Sequence, residues 1–241
     1  MTTTAVTGGF AVCQTRLGAK VHDPKDPGAD LGPMFRQVVG TILRLAAAHP
    51  DAWLDVKGSH DVPAYGFERI IDPPPLEVNA IRLLSEFHGG SITLADTWRR
   101  VLDPATAATV LTLAEEAGPL ADAASRKLGI GGEGDASSSS TLEMAEALAG
   151  FHFPDDVWAR VVYDLVIATR RGGMDVAQLV ASLVPIYFGR VGSFVVETRH
   201  LTTADAEERV ERQAREFELL KPYLVDRWRA LDAAGAGADA S

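Results

Sequence analysis

Along most of the chain the apolar positions recur every three to four residues, a spacing that predicts a mainly helical protein. In 30–49, Leu31, Met34, Phe35, Val38, Val39, Ile42, Leu43 and Leu45 follow helical spacing, with Asp30 and Pro33 at the start and Pro50 as the stop. Residues 77–87 predict a second helix that ends at Gly89–Gly90, and Thr93 caps a third through Leu102. Asp103–Pro104 opens a fourth, the aspartate as cap and the proline in the first turn. Val157, Trp158, Val161, Val162, Leu165 and Val166 set an apolar face on 156–171, closed by Gly172–Gly173. Asp175 opens a further helix, in which Pro185 should kink or divide the run. Residues 203–231 predict a long polar-faced helix with Glu208 and Arg212 at pairing distance and a bend near Lys221, ahead of Pro222.

The N-terminal segment follows another pattern. Phe10–Leu17 reads as a buried strand closed by Gly18, and Asp23–Pro24 and Asp26–Pro27 stiffen the exit behind Val21 and His22. Strands need partners, so part of the sheet is expected from elsewhere. Residues 51–75, with Gly58, Pro63 and Pro73–Pro75, read as a long connection with little regular structure. The predicted class is mostly α with a small α/β remnant. That remnant is 1–29, the helical region is 30–232 with a flexible glycine- and serine-rich loop at 129–140, and 233–241 is a disordered tail.

Composition narrows the function classes. With 46% hydrophobic and 23% charged residues, the 241-residue chain can bury a substantial core. A net charge of −10 argues against general binding of nucleic-acid phosphates. Cys13 is the only cysteine, which excludes an intrachain disulfide and makes a reducing cytoplasm the simplest setting. Its place in the strand predicts a small buried hydrophobe. Met1–Thr7 carries no signal-peptide pattern, and no run is expected to approach the roughly 18 apolar residues of a membrane span.

Several residues carry candidate chemistry. His22 stands on a stiff turn at a strand end, where an imidazole suits a metal or a ligand. Asp23 and Asp26 serve equally well as turn formers. Lys20, Lys25 and Arg16 could meet a phosphate or a carboxylate near the same rim, or be ordinary solvated charge. Tyr187, Arg190 and Arg199 lie along the proline-containing helix, where Gly189 and Gly192 leave room for a ligand or a close neighbour; Tyr187 and Arg190 join the two lysines as candidate substrate-binding residues. His152, in Phe151–Pro154, reads as part of an interior packing element that leads into a helix. No HExxH, GxSxG or phosphate-loop pattern occurs.

The run from Thr2 to Leu31, together with FHFPDDVW at 151–158, LVPIYFGRVGSF at 183–194 and KPYLVDRW at 221–228, resembles the late segment of bacterial family 2-type glycosyltransferases. Glucosyl-3-phosphoglycerate and mannosylglycerate synthases are the nearest kinds. The resemblance implies a GT-A fold, a Rossmann-like sheet for a nucleotide-sugar followed by a helical C-terminal region. The chain would match the C-terminal edge of that sheet and the helices. It also implies a divalent metal, Mg²⁺ or Mn²⁺, held by a DxD motif and by a histidine after a late strand, the position His22 matches. The DxD-bearing half would lie before Met1. The complete enzyme would transfer a sugar from a nucleotide-sugar donor to a small acceptor such as glycerate or phosphoglycerate. The alternative is a non-catalytic helical interaction or dimerisation module, its amphipathic faces from Asp156 to Leu231 packed against a second copy.

Overall fold

Helix formation in this chain follows its caps. Asp103 accepts a hydrogen bond from Ala105 N at 3.0 Å and opens the helix Pro104–Leu128, and Asp175 does the same for Ala177 N at 3.0 Å at the start of Val176–Thr198. Gly172, at φ 72°, takes a positive-φ backbone that suits glycine and ends the helix Asp155–Arg171. The computed structural model describes residues 2–16, 27–66, 77–130 and 139–238. In chain order these form α1 (Thr2–Thr7), β1 (Gln14–Arg16), α2 (Pro27–Ala48), β2 (Ala64–Gly66), α3 (Ala80–Val101), α4 (Pro104–Leu128), α5 (Thr141–Ala147), α6 (Asp155–Arg171), α7 (Val176–Thr198), α8 (Thr203–Leu219) and α9 (Lys221–Ala238). The protein is mostly helical, as its periodicity predicts.

Helices α3, α4 and α7 build the centre, with α3 lying along both of the others. Phe87, Trp98, Phe153, Leu165, Leu179 and Ile186 are buried there. Phe151 and Phe153 sit inside and lead into α6 as expected, while the intervening His152 faces solvent. Helix α7 is long and apolar enough to cross a membrane by length and composition, with 56% of its most apolar window buried within the bundle. Many apolar residues of 156–231 are likewise turned inward, among them Val157, Val161, Leu183, Leu224 and Trp228, while Leu201, Val210 and Leu219 are exposed.

Several expectations are corrected. The second and third helices are one, α3, which runs straight through Gly89–Gly90. The pair marks a close approach: a Cβ on Gly90 would stand 2.3 Å from Cβ of Pro185, while one on Gly89 would meet nothing within 4 Å. Opposite outcomes are therefore expected from adjacent substitutions. Gly89→Ala should stabilise by about 0.5–1 kcal/mol through lower unfolded-state entropy, and Gly90→Ala should destabilise by about 1–2 kcal/mol through overpacking. Urea unfolding of the two variants checks this; equal effects would contradict the packing argument.

Pro185 does not divide α7, which continues from Val176 to Thr198. Pro185 lacks the N–H that would bond the Ala181 carbonyl; one residue on, the Ser182 carbonyl accepts the Trp98 indole N–H at 2.9 Å. The segment 203–231 breaks at Leu220 into α8 and α9, the bend expected near Lys221. Instead of fraying from Ala233, α9 continues to Ala238.

The N-terminal unit is β1–α2–β2. Its two strands pair in parallel, Gln14 with Ala64, Thr15 with Tyr65 and Arg16 with Gly66. The second strand falls in the stretch expected to be irregular, and Cys13, expected inside, is exposed: of the described residues 10–16 only Gln14–Arg16 are strand, and Gln14 and Thr15 are themselves exposed. On α2, Met34, Val38 and Ile42 form an exposed apolar stripe, each more than half accessible, while other faces of the helix meet α6 and α7.

Candidate functional site

The strongest concentration of charge inside the fold is built where α6, α7 and α8 meet. Asp155, the first residue of α6, receives Arg190 Nη2 from α7 at 2.8 Å and both terminal nitrogens of Arg209 from α8, at 2.7 and 2.8 Å. Glu197, two turns beyond Arg190, accepts from Arg190 Nη1 at 3.2 Å and from Ser193 Oγ at 2.5 Å, and pairs also with Arg209. Gln213 accepts a second bond from Arg190 Nη2 at 2.9 Å. Ser193 Oγ in turn receives Phe153 N at 2.8 Å, so the network holds the α6 entry in place. Exposed His152 lies 3.3 Å from Glu197 at its edge.

The electrostatics balance: two guanidinium groups face two carboxylates. Burial lowers the pKa of Arg190, with Glu197 and Asp155 opposing it. For Arg209 burial also pulls downward, but hydrogen bonding to Asp155 and the Glu197 charge outweigh it and leave the pKa raised. Bidentate charge-assisted bonds of this kind fix geometry as well as energy.

Beside the network lies a groove of about 220 Å³, walled by Trp158, Tyr187, Phe194, Val210 and Gln213, with Arg190 contributing to the wall. Tyr187 stacks on Phe35 of α2 with ring centres 4.6 Å apart, and Trp158 is 6.2 Å away. Burial raises the Tyr187 phenol pKa. The structure thus brings together two of the five residues expected to meet substrate or metal, Tyr187 and Arg190. The guanidinium of Arg190 is already engaged by Asp155, Glu197 and Gln213, so its charge is accounted for within the fold. Lys20, His22 and Lys25 lie outside the described residues. Among those described, no group of three His, Cys, Asp or Glu side chains could hold a metal ion.

A second internal cluster joins α4, α6 and α9. Asp164 is fully buried and accepts from Asp103 N at 2.8 Å and Tyr223 OH at 2.6 Å. Arg227 reaches Asp103 at 2.7 Å and Tyr223 OH at 2.9 Å. A cleft of about 370 Å³ holds Ser59, His60, Tyr163, Glu218 and Lys221, but Ser59 N already bonds Glu218 at 2.7 Å and Lys221 Nζ donates to the Trp53 and Val56 carbonyls.

Sequence reasoning missed Asp155, Glu197, Arg209 and Asp164. One signal was available, since Arg190 and Glu197 interrupt an otherwise apolar helix and a charge there must find a partner. Protein-family models, curated proteins and solved structures offer no match to this chain.

Proposed function

We propose that this chain is the C-terminal part of a GT-A glycosyltransferase, which in complete form moves a sugar from a nucleotide-sugar to a small acceptor such as glycerate or phosphoglycerate. The observation that carries the reading is the β1–α2–β2 unit. Parallel strands joined by a crossover helix belong to sheets covered on both faces, yet Gln14, Thr15 and Ala64–Gly66 are all exposed. Such a pair fits the rim of a wider sheet. The resemblance of residues 2–31, 151–158, 183–194 and 221–228 to glycosyltransferases supplies the chemistry.

Chain order supports the role given to His22. It follows β1 and precedes α2, in the connection that leaves the carboxyl end of a parallel strand. In open α/β sheets ligands bind outside those ends. Lys20 and Lys25 belong to the same connection and suit the phosphates of a donor or an anionic acceptor. The described residues supply no ligand set for a metal, so an ion held by His22 would take its other ligands from elsewhere. When bound, it would offset charge on the departing diphosphate.

Titration with Mn²⁺, followed by electron paramagnetic resonance, tests the reading. Binding should occur and should weaken about tenfold or more in His22→Ala, the size expected for loss of a ligand or its orienting shell. Equal Mn²⁺ binding in the two proteins would remove His22 from the site.

The second reading, a dimerisation module, is favoured by the exposed Met34, Val38 and Ile42 stripe on α2. Within 156–231 much of the apolar surface is used inside the bundle, with Val210 and Leu219 of α8 exposed, so the α2 stripe is the more continuous apolar surface for such a contact. Metal binding abolished by His22→Ala has no place in that reading.

A further inference from the structure

Among the described residues, no carboxylate forms an ion pair with Arg199. Arg199 caps the C-terminal end of α7. Its Nη1 folds back onto the Val196 carbonyl, and its Nε is buried without a hydrogen-bond partner. Neither Nε nor Nη2 meets an acceptor, and no carboxylate pairs with the side chain, among the described residues. Leaving a buried donor unmet is unfavourable.

The same side chain lines a cleft of about 390 Å³ between α5 and the end of α7. Phe194, Val195 and Leu142 give it an apolar wall, and Thr141 and Thr198 add hydroxyls. That combination, mostly apolar with a few polar groups, is the usual composition of a small-molecule site. One feature opposes an anion: Glu77 stands on the rim, accepting from Thr141 Oγ1 at 2.8 Å and Thr141 N at 3.3 Å. Those bonds hold its Oε2 on the α5 entry.

We infer that this cleft binds a small organic anion, a carboxylate or a phosphate ester with an apolar body, at the guanidinium of Arg199. The anion supplies the counter-charge that the described residues do not, and the body lies against Phe194 and Val195. The inference stands independently of sugar transfer, since it uses no residue of the His22 connection.

Isothermal calorimetry with benzoate, phenyl phosphate, inorganic phosphate and neutral benzamide tests it on the full chain. Benzoate or phenyl phosphate should bind, the tighter of the two naming the headgroup, and benzamide should bind at least tenfold more weakly. Arg199→Gln should weaken the anion about tenfold or more, the loss expected for a charged pair of hydrogen bonds. Glu77→Gln keeps an acceptor for Thr141 but removes the like charge, and should tighten anion binding a few-fold. The opposite signs separate electrostatics from damage to the fold, and unchanged unfolding temperatures confirm that both variants are intact. Failure of both organic anions to bind at millimolar concentration, equal affinity in Arg199→Gln, or equal binding of benzamide would overturn the inference. So would weaker binding in Glu77→Gln, since removing a like charge cannot weaken an anion held by charge.

Discussion

Arg190→Ala is expected to lower the unfolding free energy by about 3 kcal/mol, toward the low end of the range for breaking a buried charge pair because Arg209 stays to hold both carboxylates. The Arg190 side chain is only 4% exposed, and Asp155 and Glu197 are 17% and 15% exposed, so water cannot readily replace it. Removal also strands Gln213 and loosens Ser193, which fixes Phe153 N. For a chain of this size the unfolding temperature should fall by roughly 6–12 °C, read from helical circular dichroism on heating. A loss below about 1 kcal/mol would show that Arg209 alone suffices. Arg190→Lys should recover only part of the stability, because an ammonium cannot span Asp155, Glu197 and Gln213 with a planar fork. Any loss of activity in an Arg190 variant therefore has to be read beside its stability.

Asp164→Ala should cost about 3 kcal/mol, because the fully buried carboxylate is removed and two partly buried donors, Asp103 N and Tyr223 OH, lose their acceptor together. The pH dependence separates the charge from the hydrogen bonds. Burial is the largest influence on Asp164 and raises its pKa against the Tyr223 and Asp103 hydrogen bonds and the Arg227 charge. A carboxyl with a raised folded-state pKa binds its proton more tightly folded than unfolded, so ionisation works against the fold above the folded pKa. That penalty disappears as pH falls through the folded pKa toward the unfolded value of about 4. Wild type should consequently gain stability relative to Asp164→Asn on going from pH 7 to pH 4.5, as measured by urea unfolding at each pH. A difference that stays constant, or grows in favour of the asparagine, would contradict it.

The elements read most easily from the sequence are those whose ends are set by local chemistry. The Asp103 and Asp175 caps, the turn at Gly172 and the bend near Lys221 each depend on residues within one turn of the event. Where the deciding atom is distant, the local signal misleads. Gly89–Gly90 carries the composition of a helix end, and only the Pro185 ring on α7 reveals it as a contact. Pro185 carries the composition of a break, yet α7 runs through it, packed on Gly90 and with the Ser182 carbonyl bonded by the Trp98 indole. The strand Ala64–Tyr65–Gly66 has no alternation of its own and exists through pairing with 14–16. The charge network fared similarly. Arg190 is picked out by the room that Gly189 and Gly192 leave, but its partners come from three helices, and no spacing rule links Asp155, Glu197 and Arg209.

The exposed thiol beside β1 turns an unmet expectation into a practical handle. Cys13 is the sole cysteine and it faces solvent, so a maleimide fluorophore would attach at one place without any engineering. The dye would sit next to the open edge of the strand pair. Its emission would then register whatever comes to roof that edge, be it further polypeptide or a second molecule.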